Sequence, residues 1–390
     1  MDLPILEDLR PVEGKRALVR CDFNVPISNG EITDDLRIRL PLETLTWLLD
    51  EGAAKLTVCS HLGRPKGKPD PKYSIEPVRR HLFSLLAGRG ADTQRVELLE
   101  NLRFSPGEES NDPAFVEELV KGQDVYVDDA FGAAHRAHAS IVGPPKYLPS
   151  AAGRVLYREV EVLDSLLQSP KRPFVAVLGG AKVSDKLGVI EALMARVDTL
   201  LVGGGMCFTF LAAQGHSTGG SLLEEGFVGK CAGLLAQAES SGKRIVVPTD
   251  IVGLSPDGVF GAGRQPDGEV REFGADLPPG WLGLDIGPGT AAAFADEIAA
   301  AATVFWNGPM GVFEDPRFAA GTRTVAEAVA STGAFSVVGG GDSASALKAF
   351  GLDDKVDHLS TGGGASLEFI EKGDLPGLAA LREAASRLRG

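Results

Sequence analysis

The sequence predicts an α/β protein of two domains, with parallel sheets flanked by helices. Three observations predict it. Apolar, β-branched runs repeatedly end in glycine and hand over to helical patterns: 174–178 into Gly179-Gly180, 200–202 into Gly203-Gly204-Gly205, 335–338 into Gly339-Gly340-Gly341, and 358–361 into Gly362-Gly363-Gly364. Several strands in the first half end beside arginine or histidine instead. The chain has 390 residues, 44% of them hydrophobic, which suits two cores better than one.

The stretch 174–186, FVAVLGGAKVSDK, shows the pattern most fully. An apolar run reads as a buried strand, Gly179-Gly180 breaks it, and Leu187, Ile190, Leu193, Met194 and Val197 mark a helix. Strand, glycine turn and helix start bring free N–H groups and a positive dipole end together, which favours an anion. Lys182 and Lys186 share a helix face if the helix has begun by Lys182. An ordinary βα turn with solvated lysines is the alternative for this stretch alone. Four such glycine turns in one half point to a nucleotide or polyphosphate site, because ligands of open α/β sheets sit beyond the carboxyl ends of the strands.

The first half, to about residue 150, reads as one α/β unit. Residues 17–25 form a strand whose end carries Asp22 and Asn24, pointing the same way by period-2 spacing. After a Gly30 turn, Arg37 and Arg39 open a helix over 40–49. Strands follow at 55–59, running into Ser60-His61-Leu62-Gly63-Arg64; at 96–99, followed by Arg103; and at 124–127, followed by Asp128-Asp129 and then His135-Arg136-Ala137-His138. Residues 66–72, rich in Lys, Gly and Pro, are a loop. The planar fork of arginine binds carboxylate and phosphate bidentately. Arginines recurring past strand ends therefore mark a site for a small, multiply anionic molecule.

Pro144-Pro145 precedes a helix with the stripe Leu156, Val160, Leu163, Leu167, and Pro170 and Pro173 follow it, which suits an interdomain connector. The second half continues with strands at 244–247 and 303–306, the latter ending at Asn307-Gly308-Pro309-Met310-Gly311. Residues 253–280, rich in Gly, Pro and Asp, read as a hairpin or irregular excursion.

The formal charge of −14 argues against nucleic acid as a bulk partner. No apolar run reaches the length of a membrane helix. The opening MDLPILEDLR lacks a secretory signal pattern. Cys21, Cys59, Cys207 and Cys231 are scattered, as reduced core thiols of a cytoplasmic protein would be. No P-loop of the usual form occurs, and Gly203-Gly204-Gly205 lacks the dinucleotide-binding spacing. His135 and His138 stand at i, i+3 without further metal-ligand spacing, so no metal role is expected of the pair.

Eight segments in order, CDFNVP (21–26), SHLGRP (60–65), ENLRF (100–104), DDAFGAAHRAHAS (128–140), LGGAKVSDK (178–186), GGGMCFTF (203–210), WNGPMGVFE (306–314) and GGGDS (339–343), closely resemble the phosphoglycerate kinase family across nearly the whole chain. The resemblance implies two Rossmann-like domains joined by a helix and closing about a hinge. It implies 1–153 as the glycerate-binding domain, 154–172 as the interdomain helix and hinge, 173–373 as the nucleotide-binding domain, and a tail from about 374 to 390 packing back on the first. The implied reaction is reversible transfer of the acyl phosphate of 1,3-bisphosphoglycerate to Mg-ADP, giving 3-phosphoglycerate and ATP. Carried over by motif, Asp22, Phe23, Asn24, Arg37, His61, Leu62, Gly63, Arg64, Arg103 and Arg136 bind the glycerate. Arg37, Lys182 and Lys186 are implied as catalytic, with Lys186 on the nucleotide phosphates and Lys182 beside the transferring group. Gly283 flanks the adenine, Glu314 lies near the ribose, and Gly340, Gly341, Asp342 and Ser343 hold phosphate and, through Asp342, magnesium. A monomer is the family expectation.

Two departures stand out. The chain reads Asp285-Ile-Gly-Pro-Gly-Thr290 where the family often reads DIGPKT or DIGPES, and Gly-Ala-Ala-His where Gly-Thr-Ala-His is common at 132–135. Two alternatives remain at this point. A non-catalytic nucleotide- or anion-binding paralogue would keep the pockets without turnover. An oxidoreductase would need to bind a nicotinamide cofactor.

Overall fold

Five parallel strands form the sheet of the first half in this computed structural model, which describes residues 2–261 and 266–389. They are β1 (Arg16–Cys21), β4 (Lys55–Cys59), β5 (Val96–Leu98), β6 (Val125–Asp129) and β7 (Ser150–Ala152), in the order β5-β4-β1-β6-β7. Two short strands, β2 (Ile27–Ser28) and β3 (Glu31–Ile32), pair antiparallel around Asn29 and Gly30, both at positive φ, as a two-residue hairpin turn requires. β1, β4 and β6 are buried on both faces, which is why they read as continuous apolar runs. Val19, Val58 and Val127 form the centre of a core covered by the helices Leu42–Asp50 and Glu76–Gly88.

Six parallel strands form the second sheet: β8 (Phe174–Leu178), β9 (Thr199–Val202), β10 (Arg244–Val246), β14 (Thr303–Asn307), β15 (Phe335–Gly339) and β16 (His358–Leu359). Their order is β10-β9-β8-β14-β15-β16. Trp306, fully buried on β14, anchors this core and donates its indole N–H to Gly308 O at 2.8 Å. A separate antiparallel sheet of β11 (Asp250–Leu254), β12 (Val270–Gly274) and β13 (Leu282–Ile286) runs in the order β12-β11-β13. The hairpin expected in 253–280 is therefore β11 and β12 within a three-stranded sheet; its residues 262–265 lie outside the described residues.

The chain divides into two compact units, Met1–Asp164 with Lys372–Gly390, and Ser165–Glu371. The division falls inside the helix Arg154–Gln168. Asp129, at the end of β6, caps the start of that helix by accepting from Val155 N at 2.8 Å and Leu156 N at 3.2 Å. The last helix, Pro376–Arg389, packs against β7 and the helix Ala139–Val142 of the first unit, and Gly377 N donates to Ala134 O at 2.9 Å.

Two local expectations change. The helix expected over 40–49 is two pieces, Leu36–Arg39 and Leu42–Asp50, because Pro41 lacks an N–H and starts the second. Arg37 therefore lies within a helical turn and not before one. The helix after β8 begins only at Leu187, with Lys186 as its cap, so Lys182 and Lys186 do not share a helix face.

Candidate active site

The strand order of the first unit reverses at β1, and the crevice beyond the carboxyl ends of β1, β4 and β6 is where a ligand belongs. Hydrogen bonds tie Asp22, Asn24, Arg37, Gly63 and Arg103 into one cluster there. Arg37 Nη1 donates to Asp22 Oδ2 at 2.9 Å. Gly63 N donates to Asn24 Oδ1 at 2.9 Å, and Arg103 Nη1 donates to Gly63 O at 2.9 Å. Phe23 is buried with its N–H on Ser60 Oγ at 2.8 Å. His61 and Leu62 are buried, and His61 Nδ1 lies 3.9 Å from Asp22 Oδ1. Arg64 and Arg136 stand exposed on their loops; Arg136 Nε donates to His135 Nε2 at 2.8 Å.

Four residues behind this cluster were not singled out from the sequence. Arg20, 0% exposed, donates through Nε to Ser140 Oγ at 2.8 Å, and its Nη1 bonds Cys21 O. Ser140 in turn donates to the buried Glu108 at 2.6 Å, so a carboxylate balances the buried guanidinium. Asn101, 2% exposed, accepts from Leu62 N and Arg103 N and donates to Leu62 O and Tyr73 O, bracing two loops at once. Burial pushes Asp128 up to about 7, while burial with the charges of Arg103, Arg20 and Arg136 pushes His138 down to about 4.

In the second unit the order reverses between β8 and β14, and the lysine of the glycine turn sits at that point. Lys186 Nζ donates to Gly179 O at 2.6 Å, Asn307 Oδ1 at 2.6 Å and Asn307 O at 3.1 Å. Burial lowers its pKa to about 8 against the opposing charges of Asp342 and Asp185. Gly308 has φ +95°, and a Cβ there would stand 2.7 Å from Lys186 Nζ, so only glycine lets the ammonium in. Lys182 is exposed on the same turn.

Beside this turn lies a cavity of about 690 Å³, the size of a cofactor pocket. Gly204, Gly205, Gly283, Glu314 and Asp342 line it, with Phe208 and Leu284 among its apolar walls. Gly340 caps the helix Gly341–Phe350, whose first turn carries Asp342 and Ser343. Ser343 Oγ accepts from Gly308 N at 2.6 Å. A Cβ on Gly340 would lie 2.8 Å from Asn307 Nδ2, a buried donor with no partner among the described residues. Gly340 thus leaves a small cradle in front of an unspent N–H group.

The departure at 285–290 leaves its loop intact. The Asp250 carboxylate accepts from Gly289 N at 2.8 Å and Thr290 N at 2.7 Å, capping the helix Pro288–Ala299 without any side chain at 289. The expectation that the chain has no hydrolase nucleophile turn fails on the letters, since Gly215-His216-Ser217-Thr218-Gly219 spells one. It follows the helix Cys207–Ala213 instead of a strand, and Ser217 Oγ donates to Leu277 O at 3.0 Å.

The family model described as phosphoglycerate kinase matches residues 6–373. The chain belongs to the phosphoglycerate kinase family. It is 52% identical to a phosphoglycerate kinase of Rubrobacter xylanophilus, covering 98% of this chain and 99% of that one. It is 54% identical to a phosphoglycerate kinase of a Parafrankia species, covering 96% and 99%. Among solved structures, phosphoglycerate kinase from Coxiella burnetii superposes with a TM-score of 0.86 at 37% identity, covering 98% of this chain and 99% of that one. The phosphoglycerate kinase of Pyrococcus horikoshii gives 0.82 at 31% identity, covering 99% and 100%.

Proposed function

We propose that this chain is a glycolytic phosphoglycerate kinase, transferring the acyl phosphate of 1,3-bisphosphoglycerate to ADP and running in reverse with 3-phosphoglycerate and ATP. The observation that carries the reading is that each unit gathers cationic groups at its own strand-order reversal: a guanidinium and imidazole cluster in the first, a half-buried lysine close to a nucleotide-sized cavity in the second. We assign the glycerate to Asp22, Asn24, Arg37, His61, Arg64, Arg103 and Arg136, and the nucleotide to the cavity bordered by Gly283, Glu314 and Asp342.

Both reactants are polyanions, so charge repulsion and alignment are the obstacle. In the forward direction the bond from the acyl oxygen to phosphorus breaks as a β-phosphate oxygen of ADP bonds the same phosphorus. Charge spreads over three equatorial oxygens, and positioning with electrostatic stabilisation carries the catalysis. Arg37, Lys182 and Lys186 supply the positive charge, and Asn307 Nδ2 offers a fixed donor beside Gly340. The donor set fits a magnesium-bound nucleotide: the Asp342 carboxylate lines the cavity, and magnesium takes one or two carboxylates alongside phosphate oxygens. When bound, the metal neutralises charge on the nucleotide phosphates. Transfer needs groups from both units at one phosphorus with water excluded, so hinge closure belongs to the proposed cycle. Four buried, unpaired cysteines support a reducing, cytoplasmic setting, and among the described residues no helix is long and apolar enough to cross a membrane. No nucleic acid partner is proposed for a chain of net charge −14, and a monomer suffices because one chain carries both sites.

Calorimetry with each ligand separately tests the assignment. Arg64→Ala with Arg136→Ala should abolish the heat of 3-phosphoglycerate and leave that of Mg-ADP, while Lys186→Ala does the reverse. Loss of both heats in either variant would contradict two separate sites. Tight binding of both ligands to wild-type protein without turnover would favour the non-catalytic paralogue.

A further inference from the structure

Residues 179–186 form a turn with no helix of their own, yet they carry both lysines assigned to the phosphates. A flexible turn would leave Lys182 free to sample many positions. It is fixed from outside by a residue 40 positions away in sequence: Ser184 N donates to Glu224 Oε2 at 3.0 Å, and Ser184 Oγ donates to Glu224 Oε1 at 2.5 Å. Glu224 is itself held, its N–H on Oγ1 of the buried Thr209 at 3.3 Å. The residues just before it, Ser221, Leu222 and Leu223, line the cavity, and Ser221 Oγ accepts from Gly283 N at 2.9 Å. The strap 221–224 is therefore pinned to Gly283 at one end and to the lysine turn at the other.

We propose that Glu224 is a positioning residue for phosphoryl transfer: its carboxylate clamps the Ser184 turn, and the strap carries the filling of the cavity by a nucleotide to the placement of Lys182. The inference rests on the kinase reading above. Glu224 touches no reacting atom. Its two oxygens meet two donors, and the geometry serves a rigid lysine better than a charge for its own sake. Some burial raises the carboxyl pKa, but the bonds from Ser184 and Val183 and the charge of Lys182 outweigh it and hold the group below the usual range.

The test compares Glu224→Ala and Glu224→Gln with wild type in kcat, in KM for 3-phosphoglycerate and in thermal midpoint. Glu224→Ala should lower kcat roughly 10- to 100-fold, as expected when a reacting group is misplaced by about an ångström. KM for 3-phosphoglycerate should stay within about twofold, because the glycerate cluster is untouched. Glu224→Gln should retain most of kcat, since its amide oxygen still accepts from Ser184 N while its NH2 donates to the hydroxyl. Glu224→Ala turning over at the wild-type rate would overturn the proposal. So would equal losses in both variants, which would make charge the cause. If Glu224→Ala does not fold, Ser184→Ala carries the same comparison, with a smaller loss of kcat at unchanged KM expected and an unchanged kcat contradicting the clamp. Wild-type protein without turnover would instead sink the kinase reading and leave the clamp geometry standing.

Discussion

Arg20 Nη2 lies 3.1 Å from His61 Nδ1 in the interior of the first unit. A guanidinium has donors only, so Nδ1 must be the acceptor and a neutral ring carries its proton on Nε2. Burial is the main force holding His61 well below the usual histidine range; the charge of Asp22 opposes it, and the cations Arg20, Arg103 and Arg37 add to it. Nitrogen NMR should show an unprotonated Nδ1 and a protonated Nε2 through neutral pH and below 6.5. The sign for stability follows: a ring neutral when folded gains a proton on unfolding, so its contribution is present above about 6.5 and is lost as pH falls. A ring that titrates near 6.5 in the native protein would contradict this arrangement.

Arg37 Nη1 donates to Asp22 Oδ2 at 2.9 Å, which aims the guanidinium at the crevice assigned to the glycerate, where charge grows during transfer. Arg37→Ala should lower kcat by roughly 100-fold while KM for 3-phosphoglycerate moves far less, the mark of an interaction made in the transition state. A change in KM alone would make Arg37 a plain binding residue.

Asn101 holds four backbone groups of two loops, and alanine would strand them. Asn101→Ala should cost about 3 kcal/mol in urea unfolding. KM for 3-phosphoglycerate should rise as the His61 to Arg64 loop loosens, with KM for the nucleotide unchanged. A loss below about 1 kcal/mol would show that water replaces the amide.

Lys186, lowered to about 8 by burial, is mostly charged at neutral pH and loses its proton above that value. The affinity for ADP, measured by calorimetry, should weaken as pH rises from 7 through 8 to 9. Bound polyphosphate favours the ammonium, so binding near pH 8 should take up protons. Affinity constant over that range would place the lysine's titration elsewhere.

Much of this was legible in the sequence. Buried parallel strands read as apolar runs, and glycines marked the carboxyl ends of several strands in the second unit. What stayed hidden depended on distant partners. Arg20 interrupts an apolar strand and reads as a surface residue until Ser140 and Glu108 are seen beside it. Asn101 and Glu224 act on loops 39 and 40 residues away. β7, Ser-Ala-Ala, is too short and too small-chained to announce a strand. The helix after β8 starts late because Lys186 turns back to Gly179 O and Asn307, contacts that no local propensity encodes.

The most direct measurement is turnover of 3-phosphoglycerate with Mg-ATP, coupled through glyceraldehyde-3-phosphate dehydrogenase to loss of NADH. Joint action of the arginine cluster and the Lys186 cavity predicts turnover that vanishes with EDTA and in Lys186→Ala. Folded protein that binds both ligands and shows no turnover, or turnover indifferent to Lys186, would contradict it.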